Sequence, residues 1–317
     1  MLIAIAQVIG GFLLLLGGGE FLVKGAVGIS KKLGFSPLLI GLTVVAFATS
    51  APELIVSITS ALKGQADLSV GNVVGSNIAN ILLILGVSGF IAPIFVKGKE
   101  ARRDCWVMIG ASVALAITAI FGIIPRIVGV LFFAAVVLYV VLSYRAEKNN
   151  PDAEAEAEAE SELEDAPQSL VLSIVLLVAG IAGLVIGSNL LIAGATFIAQ
   201  AWGVSQAVIG LTVVAIGTSL PELAASVISA VKGHSELAIG NVIGSNIFNI
   251  LSILGITAII KPIHINPQIA HFSIPLMIAV SLLVALLLVR REKLGRKTGL
   301  LFIVSYVAYM VFLYVQV

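Results

Sequence analysis

The chain reads IGLTVVAFATSAPEL at Ile40–Leu54 and IGLTVVAIGTSLPEL at Ile209–Leu223, 169 positions later. The same offset carries GNVVGSNIANI at Gly71–Ile81 onto GNVIGSNIFNI at Gly240–Ile250, with no gap. Each copy places one glutamate and several hydroxyls and amides in otherwise apolar sequence, which is typical of a functional polar site in a membrane protein. The chain therefore consists of two related halves, and each half carries the same polar motif.

The composition predicts a membrane protein. Apolar residues make up 59% of the chain and charged residues only 11%, and the mean hydropathy is +1.14. A soluble domain carries roughly a quarter of charged residues. The net charge of +1 is uninformative, but nothing in the placement of the charged residues suggests a surface for nucleic acid. We therefore expect the lipid bilayer to be the partner of most of the surface, and we expect no nucleic-acid partner.

Ten segments are long and apolar enough to cross about 30 Å of hydrocarbon, five in each half. They lie near 2–30, 36–62, 68–94, 104–123, 126–144, 169–200, 205–231, 237–262, 272–289 and 299–316. The first and the sixth are longer than a span requires, so we expect them to be tilted or bent. The predicted fold class is an all-α, polytopic membrane protein with ten transmembrane helices in two five-helix repeats.

Lysines and arginines predict the orientation, because short cytoplasmic loops carry an excess of them. Fourteen lie in one set of alternate loops, and only Lys63, Arg126 and Lys261 lie in the opposite set. This places both termini outside the cell membrane and the central linker in the cytoplasm. Since each half has an odd number of spans, the second half enters the membrane upside down relative to the first. Inverted repeats of this kind are typical of alternating-access transporters.

The predicted repeats, 1–148 and 169–317, are joined by an acidic linker at 149–168. Eight of the 17 acidic residues lie between Asp152 and Asp165, in an alternating Ala-Glu run. Such a run is typical of a solvated spacer. The alternative is that its clustered carboxylates sense divalent cations weakly.

Glu53 and Glu222 are the strongest functional signal, since a charged carboxylate at mid-bilayer costs roughly 2.5–3.5 kcal/mol. Hydroxyls three and four residues earlier share the helix face of each glutamate. They belong to Thr49, Ser50, Thr218 and Ser219. A carboxylate with adjacent hydroxyls predicts a cation site. The alternatives are a protonated acid held by hydrogen bonds or a structural ion pair, but Lys24, the only base predicted within a span, cannot serve two sites.

Two prolines add carbonyl oxygens to this prediction. Pro52 and Pro221 lack an amide hydrogen, so each frees a carbonyl one turn earlier, near Ala48 and Gly217. Carboxylate, hydroxyl and carbonyl oxygens together form the hard shell that Ca2+ or Na+ prefers.

The second motif lines one helix face with amides and a hydroxyl in each half. The residues are Asn72, Ser76, Asn77 and Asn80, and Asn241, Ser245, Asn246 and Asn249. We expect Asn80 and Asn249 to be ligands, while the other asparagines either bind the ion or join helices. Glu20, whose equivalent is Asn189, either lines an ion path or faces a wet crevice.

The paired Gly-x-Thr-x-x-Ala-x-x-Thr-Ser-x-Pro-Glu and Gly-Asn-x-x-Gly-Ser-Asn motifs resemble the alpha-repeats of the cation/calcium antiporter superfamily, and within it the prokaryotic sodium/calcium exchangers. The resemblance implies that Glu53 and Glu222 jointly hold Ca2+. It also implies carbonyl ligands at Ala46 and Ala215, instead of those near Ala48 and Gly217. Adjoining cation sites would use Thr49, Ser50, Ser76, Asn80, Thr218, Ser219, Ser245 and Asn249.

The resemblance further implies a secondary antiporter that needs no cofactor and exchanges Ca2+ for Na+, with the first and sixth spans sliding against a rigid eight-helix core. We expect it to work as a monomer. Some family members carry an aspartate where this chain has Asn249, so this site has two acids and its stoichiometry stays open. The proton/calcium branch of the family tends to carry an acid in the Gly-Asn motif, and neither Gly71–Asn80 nor Gly240–Asn249 contains one, so the resemblance favours Na+ as the coupling ion. Proton-driven Ca2+ antiport and a cation channel are the alternatives.

A membrane enzyme is the rival from another class. An intramembrane aspartyl protease needs two aspartates within spans, but all four lie outside spans or at their edges, at Asp67, Asp104, Asp152 and Asp165. Neither glutamate belongs to a metal-binding His-Glu-x-x-His motif. We therefore do not expect an enzyme.

Overall fold

The computed structural model describes residues 1–95, 99–148, 167, 169–203, 215–291 and 293–316, and most of them are helical. The helices of the first half are α1 (Leu2–Leu33), α2 (Pro37–Thr49), α3 (Ala51–Leu62), α4 (Ala66–Ile91), α5 (Lys99–Ile120) and α6 (Arg126–Lys148). Those of the second half are α7 (Leu170–Ala201), α8 (Ala215–Thr218), α9 (Leu220–Val231), α10 (Ser235–Ile260), α11 (Ile274–Arg291) and α12 (Arg296–Gln316). Except for Pro167, the predicted linker lies outside the described residues.

Eight helices in the described part of the chain are long and apolar enough to cross a membrane, namely α1, α4, α5, α6, α7, α10, α11 and α12. Helices α2 and α3, which are bent by 43° where they meet, are long and apolar enough only when taken together, as a ninth, broken span or a re-entrant loop. In the second half, α8 and α9 correspond to this pair. The start of their predicted span, at 205–214, lies outside the described residues, so the count of ten stays a prediction.

The break between α2 and α3 lies at the proline of the first motif. Ser50 leaves the helical conformation, with φ −81° and ψ 6°, two residues before Pro52. Ser219 does the same before Pro221, with φ −89° and ψ 7°. Each break places a glutamate in the first turn of the following helix. The positive end of the helix dipole therefore stabilises a carboxylate at that position.

Four two-residue strands depart from the all-α prediction. They are β1 (Ile94–Phe95), β2 (Ile123–Ile124), β3 (Ile263–His264) and β4 (Lys293–Leu294). β1 pairs with β4 and β2 with β3, both antiparallel, so each ribbon takes one strand from each half. β1 and β2 lie at opposite ends of α5, whose 22 residues span about 33 Å. Ribbons at opposite ends are expected of halves that run in opposite directions.

Helices α1 and α7 pack against each other more extensively than any other two described elements. Each is one continuous helix of 32 residues, with glycine at every seventh position along the contact. The glycines are Gly11, Gly18 and Gly25 in α1, and Gly180, Gly187 and Gly194 in α7. A Cβ at Gly18 would lie 2.8 Å from the Leu184 amide nitrogen, and one at Gly11 would lie 2.6 Å from the Gly187 carbonyl oxygen. The two antiparallel backbones therefore touch, and only glycine fits between them.

The buried apolar side chains form two separate clusters. The larger joins α2, α4, α5, α6, α9, α10, α11 and α12 and contains no residue of α1 or α7. The smaller joins α1 and α7 to the adjacent surfaces of α2, α9 and α10. The α1–α7 pair is thus packed on a body that has its own core.

Candidate functional site

The two glutamates meet at the centre of the molecule. Glu53 and Glu222 are both buried. Ser50 Oγ donates a hydrogen bond to Glu222 Oε1 at 3.1 Å, and Ser219 Oγ donates one to Glu53 Oε1 at 3.4 Å. Each helix break therefore supplies one carboxylate and binds the carboxylate of the other half. The duplicated motifs form one centre, not two.

Further predicted hydroxyls lie beside the carboxylates. Thr218 and Ser76 interact with the Glu53 carboxylate, and Thr49 interacts with that of Glu222. Ser245, the counterpart of Ser76, is fully buried. The structure therefore brings hydroxyls from both halves around the carboxylates, but each Thr-Ser pair lies at the glutamate of the other half and not, as the spacing had predicted, at its own.

Several oxygens of the predicted ligands are buried without a hydrogen-bond partner in the described residues. They are Glu53 Oε2, Glu222 Oε2, Asn80 Oδ1, Asn249 Oδ1 and Ser245 Oγ. Leaving such a group unsatisfied costs about 1–3 kcal/mol. Carboxylate, amide and hydroxyl oxygens are the ligands of hard cations. Their occurrence in both halves indicates a site built to be completed by a cation.

The charge of this centre comes from the two glutamates. Within the described ranges, no group of three or more His, Cys, Asp or Glu side chains is placed to hold a metal ion. Two carboxylates balance one Ca2+, while the neutral amides and hydroxyls supply oxygens without charge.

Asn80 and Asn249 each begin a π-helical turn, at Asn80–Ile84 and Asn249–Leu254. π-helical turns occur frequently at functional sites. The sequence analysis did not predict them, because no residue type marks the extra residue in a turn. Their position supports the expectation that these two asparagines differ in role from the neighbouring ones.

Asn72 and Asn241 brace the glutamate segments. Asn241 Nδ2 donates to the Glu222 carbonyl at 3.2 Å, and Thr49 Oγ1 donates to Asn241 Oδ1 at 3.2 Å. Asn72 Nδ2 donates to the Glu53 carbonyl at 3.3 Å. Of the two roles considered for these asparagines, the structure favours joining helices.

The carbonyl predictions have mixed outcomes. The Gly217 carbonyl accepts a hydrogen bond of 2.6 Å from Ser188 Oγ in α7, so the oxygen freed by the proline is satisfied within the protein. The Ser50 amide, at the end of α2, lies near the Ala48 carbonyl but donates its hydrogen bond to Ala46. The Ala46 carbonyl accepts from the Ser50 amide at 3.1 Å and from Thr49 Oγ1 at 3.3 Å. Ala215 is the first residue of α8. Ser188 was missed because nothing in the sequence pairs α7 with this carbonyl.

A cavity of about 400 Å3 leads to the centre from one end of the molecule. Asp67, at the start of α4, lies at its mouth, and the hydroxyl-bearing residues Ser76 and Thr218 line it. Asn72 also lines it and is partly exposed, whereas its counterpart Asn241 is buried. Residues of both halves line the cavity, and α4 of the first half faces it with residues whose counterparts in α10 are buried.

Glu20 lies away from this centre. Its side chain is 48% exposed and pairs with Lys24 at 3.3 Å and with Lys232 at 3.4 Å. Lys232 follows α9, so the second pair connects α1 to the end of a helix in the main body. The sequence alone did not indicate either ion pair of Glu20.

Helices broken within apolar sequence, carboxylates buried at the breaks and a cavity from one end together define a membrane transporter built from two related halves. A family model described as "Sodium/calcium exchanger protein" matches residues 3–145 and 172–315. The chain belongs to this family and is a multi-pass integral membrane protein. The resemblance seen in the repeats is thereby confirmed.

Relatives and solved structures agree with this assignment. The chain is 40% identical to the putative antiporter CaxA of Alkalimonas amylolytica, over 99% of both chains. It is 35% identical to the inner membrane protein YrbG of Escherichia coli, over 99% of this chain and 98% of that protein. A structure of the sodium-calcium exchanger NCX_Mj, soaked with 10 mM Na+ and 10 mM Sr2+, matches with a TM-score of 0.85 and 31% identity over 98% of both chains. These findings support a Ca2+ antiporter.

Proposed function

We propose that this protein exchanges Ca2+ for Na+ across the cell membrane by alternating access. The observation that carries the proposal is the pair of buried carboxylates, Glu53 and Glu222, each bonded to a serine of the opposite half. Two negative charges balance one Ca2+ or two Na+, so the two ions compete for the same oxygens. Antiport requires that the two ions compete for one site. Because one chain contains the whole site, a monomer is sufficient.

In this proposal, Glu53 and Glu222 bind Ca2+ between them. Thr49, Thr218, Ser50, Ser219, Ser76, Ser245, Asn80 and Asn249 supply the oxygens of the adjoining cation sites. Carbonyl ligands at Ala46 and Ala215 follow from the resemblance. The unpartnered oxygens of both glutamates and both asparagines support this assignment.

The moving part in this proposal is the α1–α7 pair. Its close glycine contact favours motion of the two helices as one unit, and its apolar cluster is separate from that of the body. The body consists of the other helices of both predicted repeats, 1–148 and 169–317. Sliding of the α1–α7 pair along this body exposes the centre at one end or the other.

The end that bears the cavity is the outer one in this proposal. Lys63 and Lys261 lie at that end, with the ribbon formed by β2 and β3, and it belongs to the loop set that carries few basic residues. Both termini are then outside, and the linker is cytoplasmic. The structure corresponds to an outward-facing state.

Na+ is the coupling ion in this proposal. Neither Gly71–Asn80 nor Gly240–Asn249 contains an acid that a proton-coupled site would use. The similar exchanger NCX_Mj was solved after soaking with Na+ and Sr2+. These two observations support Na+ over a proton.

The test is Ca2+ uptake into proteoliposomes loaded with Na+, Li+ or choline, with an imposed proton gradient as a separate condition. We expect uptake only from Na+-loaded vesicles and none with the Glu53→Gln, Glu222→Gln double variant. Uptake driven by the proton gradient would show that the coupling ion is H+ and not Na+. Uptake without any counter-ion would indicate a channel, and absence of uptake would refute Ca2+ transport.

A further inference from the structure

The asparagines three residues before the predicted ligands bind those ligands across the molecule. Asn77 and Asn246 are both buried. Asn249 Nδ2 donates to Asn77 Oδ1 at 3.0 Å, and Asn80 Nδ2 donates to Asn246 Oδ1 at 3.0 Å. Each of the two therefore holds the amide nitrogen of a ligand asparagine from the other half. Of the two roles considered for Asn77 and Asn246, these bonds favour joining helices.

The orientation of the Asn77 amide is itself fixed. Its Nδ2 donates to the Asn246 backbone carbonyl at 3.3 Å and to the Met277 sulfur at 3.5 Å. Both partners are acceptors only, so the nitrogen must face them and the oxygen must face Asn249. Asn246 Nδ2 has one such acceptor, the Met108 sulfur at 3.4 Å, so its oxygen also faces the ligand asparagine that it holds.

Which end of an amide faces an ion decides whether it can be a ligand. The oxygen and the nitrogen of an asparagine side chain have nearly the same size, but only the oxygen can coordinate a cation. With their nitrogens held, Asn80 and Asn249 each keep a buried Oδ1 that has no hydrogen-bond partner in the described structure. A flipped amide would instead present N–H groups and repel the cation.

We propose that Asn77 and Asn246 are positioning residues that orient the amides of Asn249 and Asn80, so that each presents its oxygen to the cation. The inference rests on the proposed function, because it concerns the same site. Neither positioning residue contacts the ion; each acts only through the side chain that it holds.

The test is a set of double-mutant cycles on the purified full-length protein, with Ca2+ affinity measured by isothermal titration calorimetry in Na+-free buffer. Asn77→Leu removes the acceptor with little change in volume. In the wild-type background it should weaken Ca2+ binding at least about tenfold, since loss of a group that orients a metal ligand costs roughly 10–100-fold. In the Asn249→Asp background the same substitution should change the affinity less than about twofold, because both ends of a carboxylate are oxygens.

The crossed pairing of the two halves provides matched controls. In the Asn80→Asp background, Asn77→Leu should still weaken binding about tenfold, because the amide that Asn77 holds belongs to Asn249 and is unchanged there. Asn246→Leu should show the reverse, with its effect removed by Asn80→Asp and retained in the Asn249→Asp background. A residue that acts only through packing would give the same loss in every background.

Three outcomes would overturn the inference. A loss from Asn77→Leu that is equal in all three backgrounds would show a packing role, and no loss in the wild-type background would show no role. A wild-type protein that binds no Ca2+ would refute the proposed function and this inference together. Failure of the inference alone would instead leave Ca2+ binding by the wild-type protein intact. If Asn77→Leu does not give folded protein, the cycle built on Asn246→Leu decides the question.

Discussion

The two halves supply matching oxygens to the centre but surround them differently. Ser50 bonds to Glu222 as Ser219 bonds to Glu53. Around them, Asn72 is partly exposed in the cavity, whereas Asn241 is buried. The serine–glutamate bonds are therefore the same in both halves, whereas the exposure of the neighbouring asparagines differs. In the proposed alternating access, the surroundings of Asn72 become buried in the opposite state, as those of Asn241 are here.

Two further differences lie on the α1–α7 pair. Ser188 of α7 bonds to the Gly217 carbonyl, but its counterpart in α1 is Gly19, which has no side chain to do so. Glu20 of α1 pairs with Lys232, but its counterpart in α7 is Asn189. The halves are thus equivalent around the two glutamates and different where the α1–α7 pair touches the body.

The largest effect tests the equivalence of the carboxylates. Glu53→Gln and Glu222→Gln should each weaken Ca2+ binding at least about 100-fold, because a charge-charge attraction of about 4 kcal/mol at 4 Å is lost. The two losses should agree within a few-fold, as measured by calorimetry. Glu100→Gln, at the start of α5, is the control and should leave the affinity unchanged. A much larger loss at one glutamate would show that the site is not symmetric.

The second effect tests the glycine contact that both halves share. Gly18→Ala should destabilise the protein by about 1–3 kcal/mol, because its Cβ would lie 2.8 Å from the Leu184 amide nitrogen. Gly187→Ala should have a similar effect, since its Cβ would lie 2.8 Å from the Gly11 carbonyl oxygen. Gly17→Ala is the control, because nothing lies within 4 Å of its added Cβ. Thermal unfolding in detergent measures all three, and equal melting temperatures for Gly17→Ala and Gly18→Ala would contradict close packing.

These elements show what the sequence could and could not predict. The repeat located both glutamates, and Pro52 and Pro221 marked where a backbone hydrogen bond is lost, because these signals depend only on the local chain. The seven-residue spacing from Gly11 to Gly25 was also readable, but not the helix that it contacts. The partners of Asn77 and Ser188 were not predictable, because they come from other helices.

The third effect tests a difference between the halves. Ser188→Ala should reduce stability by about 1–2 kcal/mol, because it leaves the buried Gly217 carbonyl without its 2.6 Å hydrogen bond. Ser173→Ala is the matched control in the same helix. Ser173 Oγ donates to the Ser169 carbonyl, which also accepts from the Ser173 amide, so this carbonyl keeps a partner. Equal destabilisation by both variants would show that the bond to Gly217 has no special role.

The smallest effect tests whether Glu20 biases the two states. The pair Glu20–Lys232 lies at the end opposite the cavity mouth, where Ser235 bonds to the Phe95 amide. There it connects α1 to the body while that end is closed. The pair is partly exposed and is worth at most about 1 kcal/mol. Glu20→Gln should therefore shift the population a few-fold towards the inward-facing state, and the shift should shrink at high salt.

The second half offers the reciprocal substitution. Asn189 corresponds to Glu20, and Lys63, which follows α3 at the cavity end, corresponds to Lys232. Asn189→Glu should therefore add the missing pair at the outer end and also favour the inward-facing state. Labelling of a cysteine at Asn72 measures the shift, since this residue lines the cavity and the native Cys105 is buried. Slower labelling is expected for both variants, whereas opposite changes would show that Glu20 does not hold the inner end closed.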